Sequence, residues 1–341
     1  MKKEYIILGL IIIALSAYLI TNKTDRDNYT IPSIPEINVA DITEIVIEKD
    51  GNSKNSNERN GNSIENIVIS KKDGAWVVAG AVPDKAYPAD QESITKMLDV
   101  IKTLKLSALV SESGNLTPYD LDTKNRINVT VKSKAEIVRK FEIGKNAPSF
   151  RHTFVRLDGS SSVYHAEKSF RRDFEKTIDD LRDKKVLSFD KNKISSITMK
   201  KGDSMKTVAL KDGKPLDNSA NQSQSNDTSK ENEAVERILT TLSDLKCHSF
   251  TNTDNKNEFK DNGIEESAKI TLKADADKEI SLILYKKDIK ENYPAISSEN
   301  IYPFLLNTYE GNDIISKIDE AMGIKKEENA GGEATKQDQM N

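Results

Sequence analysis

Histidine and cysteine are the side chains in this sequence with the widest chemical range, and both are scarce. The histidines are His152, His165 and His248, and none has a histidine or cysteine partner at metal-ligand spacing. Cys247 is the single cysteine, so an internal disulfide and a cysteine metal pair are both excluded. A nucleophilic cysteine needs a paired base, and the adjacent His248 should point to the opposite side of a strand. We therefore interpret Cys247 as a small buried hydrophobic residue.

Acidic loops and nucleotide motifs give no stronger signal. Asp120 and Asp122 are separated by one residue, and segment 254–258 reads DNKNE. That segment departs from a calcium loop because lysine occupies an oxygen-ligand position and no glycine follows at the turn. The sequence has no glycine-rich nucleotide fingerprint, GxSxG or HExxH. We expect no catalytic residue, no cofactor and no bound metal.

The N-terminus carries the most apolar run of the chain. It begins at Tyr5, ends at Ile20 and follows Lys2 and Lys3. As a helix, roughly sixteen residues span about 24 Å, slightly less than the ~30 Å hydrocarbon core, and flanking lysines can bridge the gap. We expect residues 1–22 to be an uncleaved anchor that contacts membrane lipid, with a cleaved signal peptide as the alternative. A long domain after such a segment normally translocates, which predicts a single-pass cell-membrane protein with its bulk on the extracytoplasmic side.

Composition argues against a nucleic-acid partner. The net charge is −4, the isoelectric point is about 5.7 and aromatic residues make up 6% of the chain. A nucleic-acid-binding protein usually presents a basic face or rows of stacking rings. With 341 residues, the chain is long enough for two ordinary domains.

Low-complexity stretches divide the chain. Residues 23–40 contain Pro32 and Pro35 and predict an extended spacer. Segments 50–63, 212–232 and 325–341 are rich in polar residues and poor in apolar ones, so we expect loops or disorder there. The predicted domains are residues 41–190 and 191–322, followed by a disordered tail over 323–341.

Apolar periodicity predicts short strands and one long helix in each half. The strands are predicted around residues 42–47, 64–69, 76–78, 127–131, 138–143, 154–155, 163–164, 194–199 and 205–210. Asp90 is predicted to cap a helix whose apolar residues recur at helical spacing as far as Leu104. Two further helices are predicted over 167–181 and 233–245.

The two halves match each other at one constant shift of about 141 positions. The matched pairs include Ile94 with Val235, Met97 with Ile238, Leu98 with Leu239, Ile101 with Leu242, Val129 with Ile270 and Val155 with Ile296. A shift that holds across a helix and several strands predicts an internal duplication. The expected fold class is α+β: an N-terminal transmembrane helix and two repeated units, each a mostly antiparallel sheet packed by a long helix.

The junction between the predicted repeats carries candidate site residues. Arg182, Asp183 and Phe189 lie in the segment LRDKKVLSFD. Arg182 and Asp183 could pair and fix the geometry between the repeats, or the segment could be an exposed charged turn, where ion pairs contribute only ~0–1 kcal/mol. Both interpretations stay open from the sequence.

Several short motifs occur in an order that resembles a known bacterial family. The motifs are Trp76-Val77-Val78, Tyr87-Pro88-Ala89-Asp90-Gln91, Pro118-Tyr119-Asp120-Leu121, Phe141-Glu142-Ile143-Gly144, Val163-Tyr164, and Leu181-Arg182-Asp183-Lys184 with Phe189-Asp190. Together with the N-terminal run, this order resembles the proteins of domain of unknown function 4340 over roughly residues 42–320. Asp120 stands where many members have a glycine.

This resemblance implies an accessory role, because members are often encoded beside ATP-binding-cassette transporters of the gliding-motility type. It implies possible permease and ATPase subunits as partners and no established enzyme activity. The expected function is thus a non-enzymatic scaffold of a membrane transport complex. Two alternatives stay open: a ligand-binding or envelope-sensing module that uses the cleft between the repeats, and an enzyme that acts on cell-envelope polymers through paired carboxylates.

Overall fold

The computed structural model describes residues 3–21, 29–50, 64–80, 85–216, 226–251, 253, 255–257, 263–274 and 278–324. The predicted loop at 50–63, the middle of the one at 212–232 and the predicted tail therefore lie almost wholly outside the described residues. The chain divides into two compact units, Met1–Arg182 (unit 1) and Asp183–Asn341 (unit 2). The division falls before residue 190, where the sequence analysis set the domain boundary.

Unit 1 begins with helix α1 (Lys3–Thr21). Within the described residues, no helix combines the length and the apolar content needed to cross a bilayer. The membrane anchor over residues 1–22 therefore stays a prediction.

The strands of unit 1 form one nine-stranded sheet in which every pairing is antiparallel. They are β1 (Glu44–Asp50), β2 (Ile64–Lys72), β3 (Ala75–Gly80), β4 (Ala86–Pro88), β5 (Leu106–Ser111), β6 (Ile127–Ser133), β7 (Glu136–Asn146), β8 (His152–Leu157) and β9 (Val163–Glu167). Their order is β4-β3-β2-β1-β6-β7-β8-β9-β5. The strands predicted around 64–69 and 76–78 are present as β2 and β3, and they pair as an antiparallel hairpin.

One face of this sheet forms the main core of unit 1 with helix α2 (Gln91–Lys102). Alternate strand residues such as Ile45, Ile69 and Val129 are fully buried, as are Met97 and Ile101 of the helix. The predicted cap is confirmed: the Asp90 carboxylate accepts a hydrogen bond from the Ser93 backbone N–H at 3.1 Å. Each such fully buried aliphatic side chain contributes about 1.5–3 kcal/mol.

The described part of the predicted spacer, residues 29–40, belongs to unit 1 and packs on its main core. Ile34, Ile37 and Val39 pack on the main core. The buried guanidinium of Arg139 donates hydrogen bonds to the carbonyl oxygens of Pro35 and Ile101. The apolar contacts hold this segment in place. Its Pro35 carbonyl oxygen also gives the buried guanidinium one of the partners it needs, since an unpartnered buried charge would be costly.

The prediction of one continuous helix over 167–181 is wrong. The structure has two one-turn helices instead, α3 (Arg171–Phe174) and α4 (Ile178–Leu181). Thr177 between them is extended and starts α4 through a reciprocal capping box with Asp180. Phe170 and Phe174, at the two ends of α3, lie in the core as an edge-to-face pair, with ring centroids 6.2 Å apart.

Unit 2 contains ten strands and two long helices among its described residues. The strands are β10 (Lys185–Ser188), β11 (Ile194–Lys201), β12 (Ser204–Lys211), β13 (Lys214–Pro215), β14 (Asp244–Lys246), β15 (Ser249–Phe250), β16 (Glu266–Ala274), β17 (Glu279–Tyr285), β18 (Tyr293–Ser297) and β19 (Phe304–Leu306). The helices are α5 (Asn226–Leu242) and α6 (Thr308–Met322).

Eight of these strands form an antiparallel sheet in the order β13-β12-β11-β16-β17-β18-β19-β15, and β10 pairs with β14 apart from it. Strand for strand, this order matches that of unit 1 without its edge strand β4. Both α5 and α6 pack on the sheet through a single core.

The helix predicted over 233–245 has different ends in the structure. Helix α5 begins at Asn226, inside the predicted loop 212–232, and Leu245 belongs to β14. Its first turns are polar and exposed, so they lack the apolar periodicity that marks a helix in a sequence. An ion pair of 2.7 Å between Glu231 and Lys206 joins this part of the helix to β12.

Candidate functional site

Two of the family-like motifs meet where unit 1 ends. The guanidinium of Arg182 lies over the ring of Tyr87 at 3.8 Å from its centroid. Arg182 also forms a backbone bridge with Ala89, and the Asp90 N–H donates to the Leu181 carbonyl oxygen at 2.8 Å. Because Arg182 is only 7% exposed, this cation–π contact is worth about 2 kcal/mol or more. The contact fastens the last residues of unit 1 to the start of α2.

We expect Tyr87→Leu to lower the free energy of unfolding of unit 1 by about 2 kcal/mol, because leucine removes the ring from beneath a buried cation. The matched variant Tyr87→Phe keeps the ring and should lose less than half as much. Urea unfolding followed by the fluorescence of Trp76, the single tryptophan, measures both. Equal losses for the two variants would assign the effect to the hydroxyl group.

The other junction residues belong to unit 2. One carboxylate oxygen of Asp183 accepts a hydrogen bond from the Lys185 backbone N–H at 3.0 Å. The backbone N–H of Phe189 donates to the Ser243 carbonyl oxygen at 3.2 Å, and its ring packs against the core of unit 2. The structure thus gives Arg182, Asp183 and Phe189 different local partners.

A second pair of motifs meets on the face of the unit 1 sheet opposite α2. The turn 118–121 lies over β7, where Leu121 is fully buried in a small cluster with Phe154 and Val163. The Tyr119 ring packs on Phe154 with centroids 5.0 Å apart. Gly144 lies directly under this turn, and a β-carbon there would stand 2.9 Å from Leu121 Cγ. The glycine is therefore required by close approach of two chain segments.

Asp120 occupies a left-handed backbone conformation, with φ 54° and ψ 36°. This explains why a glycine suits the position, since a left-handed residue other than glycine costs roughly 1–2 kcal/mol. We expect Asp120→Gly to raise the free energy of unfolding of unit 1 by about 1 kcal/mol, measured through Trp76. Asp120→Ala should lower it, because alanine tolerates this conformation less well than aspartate. A loss with glycine would contradict the conformational argument.

The structure brings together two histidines that the sequence analysis treated as separate. The rings of His152 and His165 stack with centroids 5.2 Å apart and 20° between their planes. They meet because β8 and β9 are antiparallel, with Phe154 opposite His165 and His152 opposite Glu167. Predicting β8 and β9 as a hairpin in this register would have placed the two histidines next to each other. Cys247 is buried, as predicted, and His248 is exposed.

Among the residues that the structure describes, no three His, Cys, Asp or Glu side chains lie close enough together to hold a metal ion. In the segment with the acidic pair, both carboxylate oxygens of Asp122 accept hydrogen bonds from the Asn125 side-chain amide. Part of segment 254–258 lies outside the described residues. Within it, the Lys256 ammonium donates to the Ser297 carbonyl oxygen at 2.5 Å.

A pocket of about 250 Å³ lies at the C-terminal end of α2. Val100, Leu104 and Phe170 give it an apolar floor, with Lys105 and Lys168 beside them. Its volume is below the roughly 300–1,000 Å³ of most ligand pockets. The signature motifs contribute to packing elsewhere in the unit and do not line this pocket.

The fold defines a class: a protein of mixed α and β structure with two compact units, each with its own antiparallel sheet. The chain belongs to the family described as Domain of unknown function (DUF4340), whose model matches residues 76–280. The matched region begins in β3 of unit 1 and ends in β17 of unit 2, so the family domain includes parts of both units. No curated protein and no solved structure matches the chain.

Proposed function

We propose that the protein is a non-enzymatic accessory or scaffold protein of an ABC-type transport complex, with a permease and its ATPase as partners. The observation that carries the proposal is that the described motif residues make packing contacts within unit 1. Tyr87, Arg182, Leu121 and Gly144 hold segments of unit 1 against one another. Motifs of this kind preserve a shape, and a preserved shape is what a protein-binding surface requires.

Membrane attachment is the second element of the proposal. The apolar run from Tyr5 to Ile20 would contact lipid and keep the two units on the extracytoplasmic side, at high local concentration near a permease. The apolar side chains of α1 support this, since Tyr5, Leu10 and Ile13 are each more than 60% exposed. Apolar surface in water costs about 25 cal/mol per Å², and a bilayer would remove that cost.

We further propose that the two units arose by duplication. The constant sequence shift and the matching strand orders of the two sheets support a common ancestor. Two related surfaces on one chain would suit a scaffold that contacts two related transporter subunits.

The test is recovery of the C-terminally tagged full-length protein from gently solubilised membranes, with mass spectrometry of what accompanies it. A permease and its ATPase in fixed ratio are the expected result. The matched control carries Leu10→Lys and Ile13→Lys, which each cost about 2.5–3.5 kcal/mol at the centre of a membrane helix. This variant should no longer be found in the membrane fraction, and the partner proteins should no longer be recovered with it.

Recovery of the chain alone, under conditions that preserve known complexes, would contradict the accessory role. If the lysine control stays in the membrane fraction, the anchor proposal fails independently of the partner proposal.

A further inference from the structure

Three side chains that can bind metal ions, His152, His165 and Glu167, lie on one face of the sheet. They are at the open end of the β8–β9 hairpin, opposite its connecting loop. His152 lies directly opposite Glu167 in the strand pairing, and His165 lies two residues before Glu167 on β9. Side chains two residues apart on a strand share a face, and directly opposed residues have β-carbons about 4.5–5.5 Å apart. His152, His165 and Glu167 are therefore mutual neighbours.

The two imidazoles are already held next to each other. Their rings are 5.2 Å apart, and the Phe154 ring packs against His165 at 4.8 Å. The hydroxyl group of Ser107 donates a hydrogen bond to the His165 carbonyl oxygen at 3.3 Å, which ties this strand to β5. The pair is thus fixed by packing on a sheet rather than carried on a loop.

The protonation state suits a ligand role. Burial, together with the neighbouring His152, lowers the pKa of His165 below its ordinary value. A lower pKa favours the neutral imidazole near pH 7, which is the form that binds a metal. Two close imidazoles would gain from a cation that both nitrogens can share.

Glu167 is placed to be a third ligand, because it lies opposite His152. Its side chain is exposed and in the structure does not reach the two rings closely enough to complete a site. Rotation about its side-chain bonds can direct the carboxylate toward His152, since the two residues are directly opposite.

We propose that His152, His165 and Glu167 form a binding site for a divalent transition-metal ion of the Zn²⁺ type. Two imidazoles and one carboxylate are a known Zn²⁺ ligand set, which leaves the fourth tetrahedral position to water. The site goes beyond the accessory role and does not depend on it. It lies on unit 1 alone.

The test is titration of the untagged, chelator-treated full-length chain with ZnCl₂ by calorimetry, with His152→Gln, His165→Gln and Glu167→Gln as variants. We expect one ion per chain, with binding at least tenfold weaker in each histidine variant and weaker in the glutamate variant. His248→Gln is the matched control, because this exposed histidine lies on unit 2 and should leave binding unchanged. MgCl₂ should give no signal, since Mg²⁺ prefers oxygen ligands.

A second measurement needs no variant. The chain has three histidines, so imidazole proton NMR of the unmodified protein should show Zn²⁺ shifting two sets of signals and leaving the third. Absence of binding at 100 µM Zn²⁺, binding that survives His165→Gln, or equal shifts of all three histidines would each overturn the site.

Discussion

Replacing Gly144 by alanine should lower the free energy of unfolding of unit 1 by about 3 kcal/mol. An alanine β-carbon would stand 2.9 Å from Leu121 Cγ and would contact the Tyr119 carbonyl oxygen even more closely. A backbone oxygen cannot move aside as a flexible side-chain tip can, so the whole turn 118–121 must shift. Overpacking of this kind typically costs 1–3 kcal/mol, and more where the neighbour is rigid.

Trp76 makes this measurement specific to unit 1, because it is the single tryptophan and lies in the core of that unit. Urea unfolding followed by its fluorescence should show a lower midpoint for Gly144→Ala. Gly80→Ala is the matched control: among the described residues, its β-carbon would meet Ile178 Cδ1 alone, at an ordinary 3.5 Å. A control loss as large as that of Gly144→Ala would show that any added methyl group, rather than the close approach, is responsible.

The strands were the most predictable part of the fold. Residues such as Ile45, Ile47 and Ile69 alternate with polar ones, and a half-buried strand imposes that period. Asp90 was predictable as a helix cap because its carboxylate meets a backbone donor three residues away. Both signals are local, so a single sequence carries them.

Features that depend on contacts between distant segments were not predictable. Helix α5 extends into a polar stretch where Glu231 pairs with Lys206, and no apolar period marks it. The sequence alone did not reveal that His152 and His165 meet, because their contact depends on the register of β8 and β9. Family-like motifs located Tyr87 and Arg182 without showing that one packs on the other.

Gly144 shows why motif order and structural role are different kinds of information. Gly144 could be assigned to a motif from sequence order, but its role depends on a turn more than twenty residues earlier in the chain. Because the motif residues act through such contacts, their loss should first appear as instability of one unit. Under the accessory role proposed above, partner binding would then be lost because the surface changes shape, without any change in a residue that touches the partner.

Gly311→Ala should produce the corresponding loss in unit 2, by about 2 kcal/mol. This glycine lies in α6 against Tyr293, and a β-carbon would stand 2.6 Å from Cγ and 2.7 Å from Cε2 of the ring. The ring cannot move freely, because Tyr293 is 7% exposed and its hydroxyl donates to Asn312 Oδ1 at 2.6 Å. Alanine gains about 1 kcal/mol of helix propensity, which offsets only part of the steric cost.

Cys247 can be used to follow the unfolding of unit 2, as Trp76 is used for unit 1. It is the single cysteine, 5% exposed in the core of unit 2, so its alkylation in urea follows the unfolding of that unit. Gly311→Ala should lower the alkylation midpoint and leave the Trp76 midpoint nearly unchanged, the reverse of Gly144→Ala. Combining Gly311→Ala with Tyr293→Leu should cost at least 1 kcal/mol less than the two single losses together, because leucine lacks the obstructing ring. Strict additivity would mean that Tyr293 is not what excludes a side chain at position 311.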